Sequence, residues 1–477
     1  MVSVMSRDMS YAGVISRKNE IMKKTVGMDY GIFESGSIAF DYERMMRETG
    51  YSLSEIQEIQ RSVGVGNTPL IELKNLTALV RKISPKGKGA RIFIKDESCN
   101  PSGSFKDRRA AVSVYHAEKL GYKGVAAATS GNYGAAVASQ AAMRNLKCII
   151  LQECYDSRKV GQPEILEKQR KCECYGAEVV QLSVGPELFY TFLKTLEETG
   201  YFNASLYSTF GIAGVETLGY EVAIQCREMI GKDPDVVLIT HAGGGNVTGT
   251  ARGLIKAGAI NTKVVGASVD LSGLHMASDY DFNRKSFTTG HTGFGIPFAT
   301  WPDRSDVPRN AARPLRYLDK YVTIKQGEVF YITEALAQLE GLERGPAGNT
   351  SLTAAFALAM EMDEDEVIVV QETEYTGAGK HPLPQLSFAK QNGVEVKFGN
   401  PDEEIAGKNI ILPQHPSMIK AREMDLNKMR KSYVKNCIEN TKVQSVSMKD
   451  VEFLSEDTKS SVENIKEILT DMGISIV

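Results

Sequence analysis

Asn100-Pro-Ser-Gly-Ser-Phe-Lys-Asp-Arg-Arg109, which follows the apolar run Arg91-Ile-Phe-Ile-Lys95, is the stretch that decides the architecture. The run reads as a β-strand, Pro101 and Gly103 as a turn, Ser104 as a helix cap, and Lys106 then falls in the first helical turn. A strand that passes through a short turn into a helix is the repeating unit of a parallel α/β sheet. The place of Lys106 is electrostatically awkward, because a helix N-terminus favours anions. The cost falls if the lysine is neutral or bound as an imine, and a lysine so destabilised is a good amine nucleophile. On Lys106 alone, a solvated surface lysine is the better reading.

Outward from this unit the pattern repeats. Ala90–Lys95, Gly124–Ala128, Lys147–Gln152, Glu178–Leu182, Val236–Thr240, Lys263–Val269 and Glu366–Val370 are strand candidates separated by amphipathic segments. The expected fold is α/β: two parallel-sheet domains with helices on both faces and helical extensions at each end. Residues 1–58 form the N-terminal extension, with Ser52 and Glu55 as a capping box for a helix from Leu53. Residues 401–477 form a C-terminal extension in which strands cease. Asp279 to Arg316, rich in Pro and Gly, reads as a long irregular loop. There is no internal repeat and no low-complexity tract.

Composition narrows the function. The chain has 477 residues, 56 basic against 59 acidic, a net charge of -3 and 42% apolar residues. These values argue against binding nucleic acid by bulk charge, against disorder and against a membrane protein. Charges scattered through Met1 to Lys24 exclude a secretory signal, so the cytoplasm is the expected location. Met22-Lys-Lys resembles a second start, which makes the first twenty-odd residues candidates for being dispensable. Seven cysteines without CxxC pairs, and histidines without ligand spacing, predict reduced thiols and no metal site.

In such sheets, ligands bind where strands pass into helix N-termini. Two further strand ends carry signals. After Gly124–Ala128 comes Thr129-Ser-Gly-Asn-Tyr-Gly134, whose hydroxyls and free N–H groups form a cradle for a carboxylate, or a plain cap made by Ser130 or Asn132. After Val236–Thr240 comes Ala242-Gly-Gly-Gly-Asn-Val-Thr-Gly249, where consecutive glycines let amides approach a phosphate. A dinucleotide fingerprint is the main rival, with Asp270 as its ribose acid, but the third glycine falls on Thr248; a Walker loop lacks its Lys-Ser or Lys-Thr. An imine-forming lysine, a carboxylate cradle and a phosphate cradle together describe a site for pyridoxal 5'-phosphate and an amino acid.

Gly66-Asn-Thr-Pro-Leu70, Asn100 to Asp107, Ser130-Gly-Asn-Tyr-Gly134 and Gly243-Gly-Gly-Asn246, in this order, resemble the fold-type II pyridoxal-phosphate enzymes. That group includes threonine synthase, cysteine synthase and the tryptophan synthase β subunit. The resemblance covers about residues 60 to 390, and it implies a large domain made of residues 59–106 and 206–400 and a smaller one of 107–205. It implies that Lys106 carries the cofactor, that Asn132 contacts its 3' oxygen, and that Ser130, Gly131 and Asn132, with Tyr133 beside them, face the substrate. It further implies that the amides of Gly243, Gly244, Gly245, Asn246 and Val247 hold the phosphate. Thr373 and Thr376 are both candidates for the pyridine nitrogen, with Glu372 and Glu374 flanking them.

Within the group, Asp29-Tyr-Gly-Ile-Phe33, Tyr133, His241-Ala-Gly-Gly-Gly245 and Gln371-Glu-Thr-Glu-Tyr-Thr376 most resemble the thiolase β subunits that act on 2-amino-4-oxopentanoate. That resemblance implies coenzyme A as co-substrate, alanine and acetyl-CoA as products, a role in ornithine degradation, and a small α subunit as partner to a dimer of this chain. The extensions are the expected partner surface. Cys99 is a weak candidate for an acyl-accepting thiol, and Arg284 and Lys285 for coenzyme A phosphates. His275 and His291 fall in the irregular loop. Threonine synthase or another replacement or elimination enzyme is the same-class alternative, and a nicotinamide-dependent oxidoreductase the different-class one.

Overall fold

The computed structural model describes residues 7–129, 131–155, 159–161, 163–183, 185, 187–270, 307–375 and 382–477. Apolar runs form strands buried on both faces, as parallel strands between helical layers must be. The larger sheet contains β1 (Leu70–Glu72), β2 (Arg91–Asp96), β7 (Val236–Thr240), β8 (Lys263–Val269), β9 (Lys320–Ile324), β10 (Val367–Glu372) and β13 (Arg422–Glu423). Its order is β1-β2-β10-β7-β8-β9-β13. The interior pairings are parallel, and β1 and β13 close the edges antiparallel. The smaller sheet, all parallel, orders β5 (Glu178–Ser183), β4 (Lys147–Tyr155), β3 (Gly124–Thr129) and β6 (Phe202–Asn203). This is the expected α/β class with two parallel sheets.

Strands do not cease after residue 400. Asn409–Pro413 (β12) pairs in parallel with Glu395–Gly399 (β11), β13 joins the large sheet, and Ser445–Val446 (β14) pairs with Ser475–Ile476 (β15). β13, β14 and β15 are two residues long, too short to show a period; β12 is a five-residue buried run.

The N-terminal segment from Tyr11 on is packed into the fold. Helices Tyr11–Ser16 and Lys18–Val26 pack on helix Glu187–Thr199, with Val14 and Met22 fully buried and Arg17 Nη2 2.9 Å from Glu197. The two extensions also hold each other. Asp450 accepts the amides of Ile38 and Ala39 at 2.7 and 2.8 Å, and Phe40 lies 5.0 Å from Phe453. Asp457 is buried between Arg313 and Arg316. Among the described residues, no helix is long and apolar enough to cross a membrane.

Helix Thr209–Ile230 sets the geometry of the site. A Cβ on Gly214 would lie 2.1 Å from the Arg108 carbonyl, and one on Gly219 1.9 Å from that of Thr250. Helices Lys106–Lys119 and Gly245–Lys256 are thereby drawn close to one scaffold helix.

Candidate active site

Lys106 is the first residue of its helix, and the loop before it is tied to the end of β10. Phe105 N–H donates to the Thr373 carbonyl at 3.0 Å and Tyr375 N–H to the Gly103 carbonyl at 2.7 Å. Gly103 has φ 79°, and a Cβ there would fall 2.3 Å from the Tyr375 oxygen, so the turn requires glycine. Ser104 Oγ accepts the Lys106 amide at 3.3 Å but does not cap the helix as expected: the N-cap is Phe105, and it makes no side-chain cap. Lys106 Nζ sits 3.9 Å from the Phe105 ring centroid, and among the described residues it has no carboxylate within ion-pair distance. Burial holds its ammonium well below the usual lysine range; Arg109 and Lys168 add to this and Glu374 opposes it. A lysine tuned in this direction gives up its proton more readily than a solvated one.

The loop after β3 is pinned by Thr129, whose Oγ1 accepts the amides of Gly131 and Gly134 at 2.9 and 3.1 Å. Ser130 lies outside the described residues. A Cβ on Gly131 would meet Lys168 Cδ at 2.4 Å, so a lysine stem crosses directly over this cradle. Asn132 opens the helix Asn132–Met143 and is half-buried. Tyr133 is buried and its hydroxyl donates to the Ala204 carbonyl at 2.7 Å.

The glycine loop after β7 passes into helix Gly245–Lys256, with Gly244 as its N-cap at φ 82° and no side-chain cap. The first-turn amides have no intrahelical acceptor. A Cβ on Gly243 would strike Tyr207 Oη at 1.6 Å, on Gly244 Pro314 Cγ at 2.4 Å, and on Gly245 Arg109 Nη2 at 2.6 Å. Asn246 is buried with both amide atoms unpartnered, and Val247 is fully buried. Arg109, 2% exposed, donates to the Leu206 carbonyl at 2.9 Å and leaves Nε without an acceptor. Burial lowers its pKa to about 10.

Thr373 is buried just past β10, and Thr376 lies outside the described residues. Glu372 is fully buried with both carboxyl oxygens unpartnered; burial, then Asp96, pushes its pKa well up, toward the neutral acid. Lys168 pairs with Glu164 at 2.5 Å and lies 3.9 Å from Glu374. Cys99 Sγ is 3.4 Å from an Asp96 oxygen, and partial burial together with that carboxylate raises its pKa, the opposite of an activated thiolate. Asp270, the would-be ribose acid, is 2.6 Å from Lys325 Nζ. His275, Arg284, Lys285 and His291 lie outside the described residues. Among the described residues, no group of acids, histidines and cysteines is arranged to hold a metal.

The sequence reading missed Thr129, Lys168 and Arg109. Arg109 had a visible signal: it stands three residues after Lys106, on the same helical face and in the first turn, where two cations are unfavourable unless an anion joins them.

Residues 61–374 match the family model described as pyridoxal-phosphate dependent enzyme, and the chain belongs to that family. A 2-amino-4-ketopentanoate thiolase beta subunit of Acetoanaerobium sticklandii is 71% identical over 468 residues, 98% of this chain and 100% of that protein. Another of the same name, from an unknown prokaryotic organism, is 67% identical over 99% of this chain and 100% of that protein. A threonine synthase of Halalkalibacterium halodurans is 30% identical, over 40% of this chain and 49% of that protein. The crystal structure of an O-ureido-L-serine synthase variant with its ligand superposes with TM-score 0.52 over 71% of this chain and 94% of that one; at 20% identity it speaks for the fold alone.

The chain is therefore a pyridoxal-phosphate dependent enzyme. The residues fit the group: among the described residues there are a lysine without a carboxylate in ion-pair distance, a glycine loop at a helix start with no side-chain cap, a buried asparagine whose two amide atoms have no partner, and a buried arginine with no acid.

Proposed function

We propose that this chain is the catalytic β subunit of a thiolase that cleaves 2-amino-4-oxopentanoate with coenzyme A, giving alanine and acetyl-CoA. The observation that carries this is the 71% identity over nearly the whole of both chains to a protein named for that thiolase. When bound, pyridoxal 5'-phosphate supplies an electron sink for the carbons next to the amino group.

The place of each residue supports the role we assign to it. Lys106 holds the cofactor; once its amine is released it is the base and acid that moves protons at the substrate carbons, and its lowered pKa suits both tasks. The Gly131 and Asn132 end of the helix, with Ser130, receives the substrate carboxylate, and Asn132 orients the cofactor oxygen. The amides of Gly243 to Val247 hold the phosphate. Coenzyme A attacks the C4 ketone directly: its thiolate adds, the C3–C4 bond breaks, C3 takes a proton and acetyl-CoA leaves. The raised pKa of Cys99 argues against an enzyme thiol in that step.

A small α subunit completes the enzyme, consistent with the "beta subunit" in the relatives' names. We place it in a heteromer built on a dimer of this chain, in the cytoplasm, in ornithine degradation. The test incubates the chain and its partner with 2-amino-4-oxopentanoate and coenzyme A, and separately with O-phosphohomoserine. Coenzyme A-dependent alanine and acetyl-CoA are expected. Threonine and phosphate without thiolysis would replace this reading with that of threonine synthase.

A further inference from the structure

Arg108 and Arg109 are adjacent and both buried, yet they are satisfied in opposite ways. Arg108 reaches Glu97 and Glu221 at 2.7 Å each. Arg109 has no carboxylate among the described residues; its acceptor is one backbone carbonyl, and its Nη2 occupies the space that a Gly245 side chain would fill. Around it stand other sources of positive potential: the start of helix Gly245–Lys256 with its unused amides, and Lys106, on which Arg109 is the foremost electrostatic influence. An unpaired buried cation is costly, and three positive sources side by side, with Glu374 felt at Lys106 and no carboxylate among the described residues at Arg109, fit a ligand of more than one negative charge.

We propose that Arg109 is the charged half of the phosphate site: its guanidinium, packed against Gly245, binds the cofactor's dianionic phosphate together with the glycine-loop amides and the Asn246 side chain. This rests on the reading that the Gly243–Val247 loop holds the phosphate, and on nothing about the carbon substrate. The protein then carries a charge that is unfavourable without cofactor and favourable with it. Cofactor binding repairs a defect in the apo-protein.

The experiment titrates pyridoxal 5'-phosphate and unphosphorylated pyridoxal into full-length apo-protein, wild type, Arg109→Met, Arg109→Lys and Gly244→Val, following absorbance, with melting temperatures of each apo-protein. Arg109→Met is expected to cut the preference for the phosphorylated form about 10- to 100-fold, the worth of a charge-assisted contact, with Arg109→Lys keeping most of it. Its apo-protein is expected to melt no lower than wild type, which an arginine of purely structural role would not allow. An unchanged preference in Arg109→Met overturns the proposal. An unchanged preference in Gly244→Val instead removes the glycine loop from the phosphate, and the proposal with it. If Arg109→Met does not fold, the phosphorus NMR shift of wild-type holoenzyme decides. A phosphate still dianionic well below pH 6 supports the cation; one titrating near the ordinary value of about 6 overturns it.

Discussion

The first turn of helix Lys106–Lys119 has two sides that treat charge differently. On one, Arg108, Glu97, Glu221 and Lys95 close on themselves: Arg108 gives both carboxylates two hydrogen bonds each, and Lys95 lies 2.8 Å from Glu221. Burial alone would lower the Arg108 pKa, but the two acids outweigh it and raise it; Glu221 falls well below the carboxylate range despite its own burial. On the other side Arg109 and Asn246 are buried with polar atoms that have no partner among the described residues, and Lys106 is half-buried over the Phe105 ring with no ion pair among them. Buried polar groups in folded proteins find partners, so a cluster that does not is waiting for one. We propose that the closed side is structure and the open side the cofactor site.

Breaking the open side at its centre has the largest effect. Lys106→Ala is expected to lower turnover about 1,000-fold or more while the protein stays folded, since the loss of a cation from a helix start is not destabilising. Turnover and far-UV circular dichroism check this together. Breaking the closed side does the reverse: Arg108→Met leaves Glu97 buried without a cation and Glu221 with Lys95 alone, and is expected to cost about 3–5 kcal/mol in urea unfolding. A loss below about 1 kcal/mol would show that the network is not closed.

Much of this was legible beforehand, and the reasons are specific. β2, β7, β8 and β10 are apolar runs bounded by turn residues, and the loops beyond them carry glycines and the lysine, so motif and strand end coincide. β1, β6 and β13 have two or three residues and show no period. The inequality of Arg108 and Arg109 was not readable, because it depends on Glu97 and Glu221 reaching one side of a helix only. Tyr133 illustrates the same limit: its place beside the carboxylate cradle was clear, but not that its hydroxyl is given to the Ala204 carbonyl.

Smaller effects sharpen the contrast. Gly244→Val, at φ 82° and with Pro314 Cγ 2.4 Å from the new Cβ, is expected to weaken cofactor affinity about 10- to 100-fold and, through that strain, to lower the melting of the apo-protein as well. Equilibrium dialysis and apo-protein melting separate the two. His116 belongs to the closed side: Tyr51 Oη is 2.9 Å from its Nδ1, Phe210 stacks at 4.1 Å, and burial, helped by Lys119, lowers its pKa to about 4. The unfolded chain binds this proton near 6.5, so the contribution is whole above that pH and is lost as pH falls toward 4. Replacing His116 by Gln should flatten the fall in stability between pH 6.5 and 4 and leave the cofactor spectrum unchanged.

Borohydride reduction of the holoenzyme, followed by peptide mapping, tests the central claim that the open side is the cofactor site. Lys168 is the most informative competitor, since its stem crosses the Gly131 cradle. The expected result is a single reduced pyridoxyl group on Lys106. A label on Lys168 or on any other lysine would contradict the account.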